Sequence, residues 1–253
     1  MKEARIIAVA GKGGVGKTSV SAMIVRVLAE RYPEARILAI DADPAVGLST
    51  ALGVSVESTM DDIRRSIVDN VQRGQKEEAV ECLGEARNLM FDALEEKDGF
   101  AFLAIGRPEA AGCFCAVNAY LKEVITMMAE QFDYVVIDGE AGIEQINRRV
   151  MERVTHLILI TDPSQKGLQV VKTIRKVADE LVMYRECGLL VNRLPKKEML
   201  ACLDYEDIPL LAVVGQDDFL TEMDLKGENI LSLPGNSLLA EGVKEALENL
   251  HII

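Results

Sequence analysis

Gly11-Lys12-Gly13-Gly14-Val15-Gly16-Lys17-Thr18, which follows the apolar run Arg5 to Ala10, decides the fold of this chain. Glycine, four residues, then Gly-Lys-Thr is the spacing of a loop that wraps nucleotide phosphates between a strand and a helix. Glycines let the backbone turn tightly, so its N–H groups line a concave cradle, and the helix that follows adds the positive end of its dipole. On this reading Gly13, Gly14, Val15, Gly16, Lys17, Thr18 and Ser19 hold ATP or ADP, with Lys17 at the β- and γ-phosphates and Thr18 on magnesium. A glycine-rich turn can be merely structural, but Lys17 and Thr18 both stand in register for phosphate.

Outward from the loop, branched apolar runs recur at Arg5 to Ala10, Ile37 to Asp41, Phe100 to Ile105, Tyr134 to Asp138, Leu157 to Thr161, Gly188 to Asn192 and Leu210 to Val214. They read as seven buried strands. Helical patterns lie between them at Thr18 to Arg31, Val117 to Gln131, Gly167 to Tyr184 and Leu238 to Leu250. Strands alternating with helices imply an α/β fold with a mostly parallel sheet covered on both faces, here as one domain over residues 1–253. Ser58 to Lys97 is polar, charged and longer than a simple crossover, and reads as two helices.

In a parallel sheet the ligand lies beyond the carboxyl ends of the strands, and acidic residues fall there at Asp41, Asp43 and Asp138. Each alone is as well explained as a strand-end turn former. Beside the glycine loop they make a site.

Composition sets the outer limits. Of 253 residues 49% are hydrophobic and 27% charged, the balance of a soluble globular chain rather than a disordered one. The formal net charge of −13 and the absence of a visible basic patch argue against nucleic acid and anionic lipid as partners. No apolar stretch approaches the length of a membrane span, and the run Ile6 to Ala10 is too short for a signal peptide, so a cytoplasmic location is expected. Five cysteines without an export signal point to reduced thiols. Cys113 and Cys115, in a small-residue loop before a helix, can share one soft ion, act as redox thiols, or simply pack. As metal ligands they are half of a four-thiolate site, and a two-fold axis supplies the other half. Cys82, Cys187 and Cys202 read as packing residues, and the lone His156 and His251 as structural.

The second lysine of the loop, Lys12, makes Gly-Lys-Gly-Gly-Val-Gly-Lys-Thr resemble the deviant Walker A motif of the MinD/ParA/nitrogenase-iron-protein class. The resemblance implies an ATPase that closes as a homodimer, with Lys12 offered to the partner's nucleotide much as an arginine finger is. It makes Tyr134 to Asp138 a Walker B strand whose Asp138 holds magnesium through water, Asp41-Ala42-Asp43-Pro44 a switch I with Asp43 orienting the attacking water and Asp41 nearer the metal, and Gly139 to Gly142 a switch II. It gives Asn192 the adenine edge, with Arg193 beside it. The sequence departs from the class at Gly215, where relatives have proline.

Within the class, a division-site regulator needs a basic amphipathic C-terminal helix, whereas Leu238 to Ile253 carries Glu241, Glu245 and Glu248 against Lys244. That helix reads as domain packing. Asp138 to Glu144 and the Cys-x-Cys resemble the CooC family, which aids nickel insertion into carbon monoxide dehydrogenase, and the related accessory ATPase of acetyl-CoA synthase. The resemblance covers nearly the whole chain and implies nickel or zinc at Cys113 and Cys115 across the dimer, with one of those enzymes as client. The competing reading is a dimeric regulatory switch with redox-sensing cysteines and no stable metal.

Overall fold

The computed structural model describes residues 3–43, 47–72, 88–97, 99–106, 115–139, 153–181, 184–205 and 208–253. Its strands are β1 (Arg5–Gly11), β2 (Ile37–Asp41), β3 (Glu95–Lys97), β4 (Phe100–Ala104), β5 (Tyr134–Asp138), β6 (His156–Thr161), β7 (Glu186–Leu194) and β8 (Leu210–Gly215). Its helices are α1 (Lys17–Arg31), α2 (Gly47–Leu52), α3 (Met60–Gln72), α4 (Cys115–Ala129), α5 (Gln165–Leu181), α6 (Asp218–Lys226) and α7 (Leu238–Asn249), with a short turn of helix over 88–92 and two 3-10 turns.

The strands form one sheet in the order β3-β4-β2-β5-β1-β6-β7-β8, parallel throughout except for β3 against β4. Side chains of a strand alternate between faces, and this alternation sorts the core into two clusters. Ile7, Val9, Ala39 and Val136 join the layer built with α1 and α7, while Ala8, Ala10, Ile40 and Ile137 join the layer under α3, α4 and α5. Burial on both sides explains why the central strands read as unbroken apolar runs. Helix α1 is apolar on most of its circumference for the same reason: it lies between the sheet and α7. The C-terminal helix α7 buries Leu239, Val243 and Leu247 in that layer, the packing role its acidic face suggests.

The α/β architecture is as the sequence implies, with eight strands instead of seven. The added strand, Glu95–Lys97, has no apolar run because it is a three-residue edge that pairs Lys97 with Phe100 and Glu95 with Phe102. Gly99, between the paired strands, takes φ +89°, a conformation that suits glycine in a turn. Ser58 to Lys97 therefore holds this strand as well as helical segments over α3 and 88–92. Among the described residues no helix is long and apolar enough to cross a membrane.

Candidate functional site

Strand β1 ends against β6 so closely that a Cβ on Gly11 would lie 2.2 Å from the Ile160 carbonyl oxygen. From there the chain turns through Gly14 (φ +80°) and Gly16 (φ +93°), a left-handed conformation suited to glycine, and enters α1 at Lys17. Gly16 brings no capping side chain, and the first turn of α1 has no acidic residue. The orphan N–H groups and the positive helix end are thus left for an anion. A cleft of about 370 Å³ lies over them, lined by Gly13, Gly14, Gly16, Lys17, Thr18, Asp43 and Arg193. Lys17 is largely buried and curls across the loop, its Nζ donating to the Lys12 carbonyl at 3.3 Å. Val15 is buried in the core beneath the loop, and Ser19 lies in the first turn of α1.

Parallel pairing of β2 with β5 sets Asp41 beside Asp138. Asp138 is 1% exposed: its Oδ1 accepts from the Ser21 hydroxyl at 3.0 Å and its Oδ2 has no hydrogen-bond partner. Burial raises its pKa to about 6, against the pull of the Thr18 and Ser21 hydroxyls and the Lys17 ammonium. Asp41 is fully buried, and burial followed by the nearby Asp138 raises it to about 7. Its two oxygens accept from the backbone N–H groups of Asp43 at 3.0 Å and Leu48 at 2.9 Å. Asp41 therefore shapes the loop that carries Asp43, and Asp43 is the one of the two that lines the cleft.

Lys12 is not among the residues lining the cleft, and its Nζ lies 3.6 Å from Asp162 Oδ2, just past the end of β6. Asp162 Oδ1 in turn accepts from the Ser164 hydroxyl at 2.5 Å. Burial alone would raise the Asp162 pKa, but Ser164 and Lys12 outweigh it and hold the carboxyl below its ordinary value. The sequence reading passes over Asp162, although Thr161-Asp162 ends a strand just as Asp41 and Asp138 do.

Asn192 and Arg193 stand beneath and beside the loop. Asn192 is 3% exposed; its Nδ2 donates to the Val15 carbonyl at 2.8 Å, and its Oδ1 accepts from the Arg193 N–H at 2.9 Å. The Arg193 guanidinium donates to the Gly14 carbonyl at 3.0 Å. After Gly215, where the sequence departs from proline, Asp217 ties two helices together. It accepts from Phe219 and Leu220 at the start of α6 and from the Leu239 N–H of α7 at 2.9 Å.

Cys113, like Glu140 to Glu144, lies outside the described residues, and Cys115 is the first residue of α4. The root of their segment is described: the Ile105 N–H donates to the Asp41 carbonyl at 2.9 Å, and the Ile105 carbonyl accepts from the Asp61 N–H at 3.0 Å. Of the three other cysteines, Cys187 is half-buried with its thiol raised to about 11 by burial, Cys202 is exposed and so not a packing residue, and Cys82 lies outside the described residues. Cys202 escapes burial because it sits on a 3-10 turn with no buried residue. His156 is buried and His251 pairs at the surface with Glu186.

A family model described as AAA domain matches residues 4–184. The chain belongs to this family of MinD/ParA-like P-loop ATPases. Among the family's curated proteins, it is 37% identical to the uncharacterized ATP-binding protein MJ0685 of Methanocaldococcus jannaschii, with 97% of this chain and 98% of that protein covered. It is 29% identical to the carbon monoxide dehydrogenase accessory protein CooC of Rhodospirillum rubrum, over 79% of this chain and 83% of CooC. The crystal structure of the cell division ATPase MinD from Pyrococcus furiosus superposes with a TM-score of 0.71 at 26% identity, covering 99% of each chain. As a P-loop ATPase of this family, the chain hydrolyses ATP.

Proposed function

We infer that this ATPase is a metallochaperone: it closes as a homodimer over ATP and uses hydrolysis to change the geometry of a shared thiolate site, serving nickel insertion into carbon monoxide dehydrogenase or acetyl-CoA synthase. The observation that carries this reading is the backbone hydrogen bond that the Ile105 N–H donates to the carbonyl of Asp41, in the nucleotide site, since from Ile105 the chain runs on to Cys113 and Cys115. The similarity to CooC over most of the chain supports it.

In the reaction, the loop N–H groups and Lys17 bind and orient the phosphates, and Asp43, at the cleft wall, orients the attacking water. Magnesium suits the oxygen donors present, since the buried Asp138 Oδ2 lacks a partner and Thr18 stands close to it. When bound, the ion neutralises charge on the phosphate oxygens. Within one protomer Lys12 is held by Asp162, so reaching a partner's nucleotide breaks that ion pair. Both side chains are about one-third exposed, and an exposed pair of this kind is worth at most about 1 kcal/mol. Contacts with a bound triphosphate outweigh that cost.

Nickel or zinc is cargo on this reading, held by Cys113 and Cys115 of both protomers. Linkage makes the two sites reciprocal: if the closed dimer binds the metal ten-fold better, metal favours closure by the same factor, about 1.4 kcal/mol. Metal analysis of the reduced protein, with mass determination in apo, ADP and ATP-analogue forms, tests this. The expected result is one ion per dimer, lost in Cys113→Ala and Cys115→Ala while nucleotide still binds. Stoichiometric metal retained by the double cysteine variant, or a protein whose mass responds to neither nickel nor zinc, refutes it.

A further inference from the structure

The pairing of β7 with β8 shifts register twice, between Leu189 and Leu190 and again at the end of β7. Between the pairs Val191↔Val213 and Leu194↔Gly215, β7 advances three residues while β8 advances two, so Asn192 and Arg193 form a bulge. Arg193 takes φ +59°, a left-handed conformation that side chains seldom adopt. Bulges commonly re-aim side chains next to active sites, and both side chains here are aimed at one target. Asn192 Nδ2 donates to the Val15 carbonyl and Arg193 to the Gly14 carbonyl, adjacent peptide units of the phosphate loop. The orientation of the Asn192 amide is fixed by chemistry, because Val15 O only accepts and the Arg193 N–H only donates.

Contact with the loop is tight. A Cβ on Gly16 would lie 2.5 Å from Asn192 Nδ2, so the glycine that lets α1 begin also admits the asparagine. Asn192 keeps one N–H and one oxygen lone pair beyond these bonds, enough to meet a base edge while still holding the loop.

We propose that the Asn192–Arg193 bulge is a clamp on the phosphate loop: the two side chains are positioning residues that hold Gly14 and Val15 in their phosphate-binding form, whatever base the nucleotide carries. This rests on reading the cleft as the phosphate site and goes beyond a base-contact role for Asn192.

The clamp and a pure base reader differ toward a ligand that has no base. Binding of magnesium ATP and of magnesium tripolyphosphate is to be measured by calorimetry for the wild type, Asn192→Ala, Arg193→Gly and Arg193→Lys. The clamp predicts that Asn192→Ala and Arg193→Gly each weaken tripolyphosphate by about five- to ten-fold, the equivalent of one hydrogen bond, and ATP by at least as much. Arg193→Lys, which keeps a cationic donor, recovers part of the loss. Arg193→Gly relieves the left-handed backbone, so its melting temperature should not fall, and weaker tripolyphosphate binding by this variant cannot come from unfolding. Weakened ATP with unchanged tripolyphosphate in both variants overturns the clamp and leaves Asn192 a base reader. A wild type that binds ATP but not tripolyphosphate overturns the phosphate reading of the cleft itself, and the clamp with it.

Discussion

The two ends of the sheet treat charge in opposite ways. At the amino end, where β1, β5 and β6 begin, charges are matched within the protein. Glu3 lies 3.3 Å from Arg153 and also bonds Arg185, the pair holding its carboxyl below the ordinary value; Asp133 binds Arg36 through both backbone and side chain. Tyr32 and Tyr134 stack at 5.3 Å with Arg5 over the second ring. At the carboxyl end β2 and β5 deliver two buried carboxylates side by side, both with raised pKa, one with an unpartnered oxygen. A buried polar atom without a partner costs free energy, and here its location marks where ligand completes the structure. The amino end is finished by folding; the carboxyl end, on the function proposed above, is completed by magnesium and nucleotide.

The contrast breaks most sharply at the loop lysines. Lys12→Ala is expected to cut turnover by roughly 1,000-fold, the scale of an arginine finger, while single-protomer nucleotide affinity stays near wild type. Comparing steady-state hydrolysis with calorimetric binding checks it. Lys17→Ala removes a buried cation from the cleft itself, so binding of ATP should fall by roughly 100-fold, and on the metallochaperone proposal metal binding through Cys113 and Cys115 should be unchanged.

Stability against pH sharpens the comparison, because the ends carry opposite signs. Asp41 and Asp138, raised from 3.8 to about 7 and about 6, contribute stability that is fully present below the ordinary carboxylate range and lost as pH rises through the folded values. Without magnesium or nucleotide, Asp138→Asn should therefore melt increasingly above wild type as pH climbs from about 4 to about 7. His156, at the amino end, is lowered from 6.5 chiefly by burial, so its contribution is lost as pH falls below that value. A melting difference for Asp138→Asn that stays flat across this range would show that the buried carboxylate is not strained. The smallest effect belongs to Glu3→Gln: its carboxylate is solvent-screened, and the melting temperature should move by about 1 °C or less.

The phosphate loop, the central strands and the acidic strand ends were legible because each follows from local pattern: glycine spacing, unbroken apolar runs and a carboxylate at a strand's close. What escaped the sequence reading depends on partners distant in the chain. Strand β3 is Glu-Glu-Lys and is a strand only because Phe100 to Phe102 lie alongside it. Asp162 matters through Lys12, 150 positions earlier, and the bulge at Asn192–Arg193 exists only relative to the register of β8. Cys202 shows the reverse failure, since an isolated cysteine looks like a core residue until a surface 3-10 turn is found to carry it.

Gly11 has a further consequence. With the Ile160 carbonyl occupying the space a side chain would need, the first residue of the loop, which is also the last of β1, is pressed against β6. The spot where a phosphate lands is accordingly inherited from the interior of the protein rather than chosen by a surface segment. Any larger residue at this position would push apart the innermost seam of the sheet, and anion recognition and folding would fail together.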